Sequence, residues 1–201
     1  FAGAIQNEAN QNGNNNPSFS NCTFQNNQSE ETGGAMYSIG NEGSLIVSIS
    51  KCAFYSNTSS VGGAIFNFPN VGTLTADINN SIFYKNEAES GGAIDNFGFA
   101  EDEVNVNIMN CTFTENTAEL GAALSTFGGG VTINSINSIF WGNTATGEGA
   151  TASNFAGGTT NFNRCSVQEM NCSENGFDAS CLNMIYLVSP LLVDPANFDF
   201  T

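Results

Sequence analysis

The sequence predicts an all-β fold, a right-handed parallel β-helix of about six rungs of roughly 30 residues each, and three observations point to it. A Gly-Gly-Ala-apolar block recurs at Ala2-Gly3-Ala4-Ile5, Gly33-Gly34-Ala35-Met36, Gly62-Gly63-Ala64-Ile65, Gly91-Gly92-Ala93-Ile94 and Gly121-Ala122-Ala123-Leu124, fading at Gly149-Ala150-Thr151-Ala152. Between these blocks a Phe-x-x-Asn block pairs Phe24, Phe54, Phe83, Phe113 and Phe140 with Asn27, Asn57, Asn86, Asn116 and Asn143. A second apolar column, Ile39, Phe68, Phe97, Phe127 and Phe155, keeps nearly the same period. Two columns in step are the mark of stacked supersecondary units, each burying the open face of the next.

The elements of one rung follow from side-chain alternation. Leu45-Val47-Ile49, Leu74-Ala76-Ile78, Val104-Val106-Ile108 and Val131-Ile133 have period two, so each is a strand with one buried face. Parity slips by one between Ile49 and Cys52 and between Ile78 and Ser81, which predicts a bend or bulge before the Phe strand. The Gly-Gly-Ala segment supplies a third short strand. Helical periodicity is absent, which disfavours ankyrin-like and tetratricopeptide-like arrays.

Stacking then assigns roles to the repeated residues. Rungs about 4.8 Å apart place like residues over one another, and the stacked Phe rings are expected to fill the lumen. The Asn column is expected at a turn, where Asn tolerates left-handed backbone and its amide reaches the same amide one rung away. Paired glycines permit tight corners. The stretches Glu8 to Pro17 and Phe97 to Glu103 read as insertions that project as loops.

Composition excludes several functions. Against 19 acidic residues stand Lys51, Lys85 and Arg164 alone, for a formal charge of −16, which repels nucleic acid and anionic lipid as partners. No apolar run approaches the roughly 18 residues of a membrane helix, so direct membrane insertion of this segment is not expected. With no His, a Ser-His-Asp or Cys-His device is ruled out within the chain. The 201 residues read as one β-helix segment of a longer protein, with regular rungs over 1–163 and an irregular last rung over 164–201.

Three groups of residues could carry chemistry. Cys22, Cys52, Cys111 and Cys165 share one column with Ser81 and Ser138 and read as small buried filler. A Cys22–Cys52 disulfide is the alternative to free thiols there, and stacked parallel positions give it poor geometry. Cys172 and Cys181 bracket an Asn/Ser/Gly-rich loop and are expected to form a disulfide, in keeping with an oxidising destination. Hydrolysis needs two carboxylates facing one groove; Glu87, Glu89, Asp95 and Glu115 are nearest to that, but they vary between repeats and read as solvated turns. No catalytic residue and no cofactor is assigned. Glu101, Asp102 and Glu103 form the densest acidic cluster, a candidate for weak surface calcium binding that lacks the spacing of a calcium loop.

The Gly-Gly-Ala-Ile and Phe-x-x-Asn pair resembles the repeats of the polymorphic outer membrane proteins, bacterial surface adhesins with right-handed β-helix passengers. The last third is similar to secreted bacterial β-helix proteins, common in Bacteroidetes and Planctomycetes, that end in an anchor. The matching residues are Asn137-Ser138-Ile139-Phe140-Trp141-Gly142-Asn143, Ser166-Val167-Gln168 and Ser189-Pro190-Leu191-Leu192-Val193-Asp194-Pro195, with Ser189 where that class has Asp. The resemblance implies an extracellular or cell-surface location, export as an autotransporter or type IX secretion cargo, and secretion machinery as a passing partner. It implies a non-catalytic adhesin stalk or passenger presenting loops to surface proteins or glycans. Two alternatives remain: a carbohydrate-active β-helix with its active site outside this segment, and a secreted cargo or filament subunit with open rungs.

Overall fold

The computed structural model describes residues 2–99, 101–168 and 179–182. Its strands stack in parallel as a β-solenoid of about six turns spaced about 29 residues apart. The pair Cys172 and Cys181, and the segment from Ser189 to Pro195, lie outside the residues whose side chains are described.

Three sheets run the length of the coil. The Gly-Gly-Ala sheet stacks Ile5–Glu8, Met36–Ile39, Ile65–Phe68, Ile94–Phe97, Leu124–Phe127 and Ala152–Phe155. The long sheet carries Ser44–Ser50, Thr73–Asn79, Glu103–Met109, Val131–Ile136 and Thr159–Asn163. The Phe sheet stacks Thr23–Gln25, Ala53–Tyr55, Ile82–Tyr84, Thr112–Thr114, Ile139–Trp141 and Ser166–Val167. A fourth, shorter ladder follows the Asn column. It pairs Thr117–Leu120 with Thr144–Glu148, with a register shift between Ala118 and Leu120, and continues as isolated bridges through Glu87, Thr58 and Gln28.

The lumen is apolar along one side and polar along another. Phe54, Phe83, Phe113 and Phe140 are fully buried, with ring centroids 4.6 to 4.8 Å apart and ring planes nearly parallel. Beside them lie the Leu, Val and Ile of the long sheet and the apolar residue after each Gly-Gly-Ala. Ser38, Asn67, Asn96 and Thr126, the third residue of successive strands in the Gly-Gly-Ala sheet, are buried as well. Asn67 Nδ2 donates to Asn96 Oδ1 at 2.8 Å, so this inner column is linked by its own side chains.

Several expectations need correction. The left-handed residue at the Asn turn is the one before the ladder: Asn26, Ser56, Lys85 and Glu115, with Gly142 in the fifth rung. The ladder Asn is buried instead, because its amide must face the neighbouring rung. The bend expected at the parity slip is present and consists of one left-handed residue, Asn21, Lys51, Asn80, Asn110, Asn137 or Arg164, ahead of the Cys/Ser column. That column is more than filler: Cys52 N–H donates to Ser81 Oγ and Cys111 N–H to Ser138 Oγ, both at 3.1 Å. Glu8 to Pro17 does not project, since Asn14 and Asn15 stack on Ser44 and Leu45 and Ala9 is buried. Finally, the second aromatic column does not enter the lumen.

Candidate functional site

The outward position of that column follows from strand parity. In Ile94–Phe97 the first residue points into the core, so the fourth points out. The same holds for Phe68, Phe127 and Phe155, and the register aligns Phe68 with Ile39 and Phe97 with Phe127. Phe97 and Phe127 lie face to face at 5.1 Å, while Phe68 meets Phe97 edge-on at 5.6 Å. Phe127 is 47% exposed. The result is an aromatic row on the outside of the coil.

The loop after Phe97 enlarges this row. Phe99 is 56% exposed and meets Phe97 at 5.2 Å and Phe68 at 6.1 Å, edge-on to both. Asp102 fixes the loop: its Oδ2 accepts from Phe99 N–H at 2.8 Å and its Oδ1 from Val71 N–H at 2.9 Å. Val71 is 72% exposed and holds left-handed backbone, φ 65°, a strained conformation for a β-branched residue. The carboxylate of Asp102 thus holds two exposed apolar residues from adjacent rungs in one patch.

This arrangement assigns the acidic cluster. Asp102 is buried and used as a loop cap, Glu103 accepts from the Asn105 amide at 2.8 Å, and Glu101 is exposed. Among the described residues no three His, Cys, Asp or Glu side chains gather around one point.

The four carboxylates nearest to a hydrolytic pair separate into two settings. Asp95 is not a solvated turn: it is 3% exposed, accepts from Ser90 Oγ at 2.6 Å, and burial raises its pKa. Desolvation outweighs the hydrogen bonds from Ser90 and Ser125, which act in the opposite direction. Glu87 and Glu115 line an open groove of about 550 Å³ with Lys85, Ser56, Thr58 and Thr117. Lys85 Nζ sits 3.7 Å from Glu115 and 4.8 Å over the Tyr84 ring. Glu89 lines a neighbouring groove of about 380 Å³ with Glu30 and Glu87. Arg164 occupies a left-handed corner.

The thiols are placed as free. Cys52, Cys111 and Cys165 are buried and Cys22 half-buried. Burial pushes the Cys111 thiol up to about 11 and raises Cys52, so both stay protonated at neutral pH.

Sequence reasoning missed the outward row, Phe99 and Val71 as one patch. The signal was available for the row: Ile94 and Phe97 are three apart in a strand, which places them on opposite faces. The chain matches no protein-family model, no curated protein and no solved structure.

Proposed function

We propose that this segment acts without catalysis, as the stalk or passenger region of an extracellular adhesin on a bacterial surface. It binds by presenting its lateral face to proteins or glycans of another surface. The observation that carries the reading is the division of labour among the columns. The inner Phe, Asn and Cys/Ser columns are engaged rung to rung, while Phe97, Phe99, Phe127 and Val71 are left outside. Large exposed apolar groups in one place are the usual sign of a binding surface. The reading invokes no cofactor.

The test is adhesion of the purified segment to cells and to immobilised glycans, compared with a Phe99→Ser/Phe127→Ser variant. Binding that falls in the variant supports the reading; binding to no surface counts against it. A carbohydrate-active function is the second reading, favoured by Glu87, Glu115 and Lys85 sharing one groove. Incubation with a polysaccharide panel decides it, because product that disappears in Glu87→Gln would replace adhesion with hydrolysis.

A further inference from the structure

We infer that the patch of Phe68, Val71, Phe97, Phe99 and Phe127 docks a cationic protein surface, one with apolar side chains set between Lys and Arg. The inference rests on the adhesive reading and names its partner. Its geometry is that of an interface centre: rigid aromatic groups, exposed in part, with their positions fixed from below by stacking. The Val71 strain points the same way, since the fold holds an exposed valine in a costly conformation through the Asp102 carboxylate.

The rim selects the partner. Glu8 begins the outward row, in register with Ile39, and Glu42, Glu101 and Glu103 lie in or beside the loops that follow these strands. No cation is there. Lys51 and Arg164 occupy the corner after the long sheet, and Lys85 the corner after the Phe sheet. An apolar centre with an acidic rim complements an apolar centre with a basic one. A second copy would set acidic rim against acidic rim, with a formal charge of −16 on each chain. A sugar ring stacks on an open aromatic face, whereas Phe97 and Phe127 turn faces toward each other.

The probe is a pair of synthetic peptides with one Leu-Trp-Leu centre, flanked by lysines in one and by glutamates in the other. Titration into the isotopically labelled segment is followed by NMR shifts and by fluorescence anisotropy. The lysine peptide is expected to bind at least about tenfold tighter and to weaken as salt rises. Shifts should centre on Val71, Phe97, Phe99 and Phe127. Phe127→Ser and Phe99→Ser should each weaken binding about tenfold, with unchanged circular dichroism because both side chains are exposed. Glu101→Gln/Glu103→Gln should remove part of the salt dependence and leave the shift map in place.

Equal binding of the two peptides, or shifts centred on the Lys85 groove, would overturn the inference. So would sedimentation showing a dimer that Phe127→Ser dissolves, or neutral oligosaccharides moving the same resonances more strongly. If the peptides fail while the segment still adheres to cells, only this inference falls and the adhesive reading stands.

Discussion

Asn57 donates through Nδ2 to Asn86 Oδ1 at 2.9 Å, and its own backbone N–H reaches the same oxygen at 3.1 Å. Asn86 repeats the arrangement toward Asn116, and its Nδ2 also donates to Phe54 O at 3.0 Å. One side chain therefore satisfies a buried amide of the rung before it, a carbonyl of that rung and the amide of the rung after.

Asn86→Ala removes that junction: the Asn57 N–H and one Asn57 Nδ2 hydrogen lose their acceptor and Phe54 O loses this donor, while Asn57 Nδ2 keeps its bond to Phe24 O. The expected cost is about 2–4 kcal/mol, read as a lower urea midpoint. Asn110→Gly, on an exposed left-handed corner that glycine adopts readily, is the comparison and should change stability little. Equal losses at the two sites would deny the ladder its role.

Gly63 has no room for a methyl group. A Cβ there would lie 2.2 Å from Gly92 O and 2.7 Å from Glu87 O, both backbone atoms of the next rung. Gly63→Ala should cost about 3 kcal/mol or more, whereas Gly129→Ala, whose nearest neighbour would be Ala156 O at 3.8 Å, should be tolerated. Thermal melts of the two variants give the comparison directly.

Asp95 carries a pH signature. Burial raises its folded pKa, so the folded state holds the proton more tightly than the unfolded chain. Its contribution is greatest below the unfolded value near 3.8 and is lost as pH rises through the raised folded value. Asp95→Asn keeps an acceptor for Ser90 and carries no charge. It should be more stable than the parent at neutral pH, with a flatter profile in urea titrations from about pH 4 to about pH 8. A variant with the parent's slope would show that Asp95 ionises freely in the fold.

Val71→Gly should raise stability by about 1 kcal/mol, since the left-handed conformation costs a β-branched residue and not glycine. A lower melting temperature for this variant would mean that the valine side chain supports the loop.

How far the sequence disclosed the fold depends on what each residue's periodicity encodes. Phe54 and Val106 were legible because burial repeats with the rung and alternation repeats within it. The side of the chain on which Phe97 falls was legible only through its distance from Ile94, since an aromatic column has the same period inside and out. The left-handed corners were misplaced by one residue because Lys85 and Glu115 stand in that column, and neither type announces such a backbone. Asp95 and Asp102 look like surface acids in a chain of this charge. Their burial depends on Ser90 and on Val71, contacts that no spacing rule predicts. The candidate patch was therefore only half visible, its Phe column plain and its Val71–Phe99 portion hidden.

The rung-to-rung register has a mechanical consequence. Each strand is paired to its counterparts about 29 residues away, and among the described residues no sheet ties a rung to one further off. Tension applied to the chain ends would thus release the coil one turn at a time. Each turn of about 29 residues would add about 100 Å of extended chain and leave the next rung intact to bear the load. A coil built this way lengthens in steps under load and can shorten again by re-forming the same ladders.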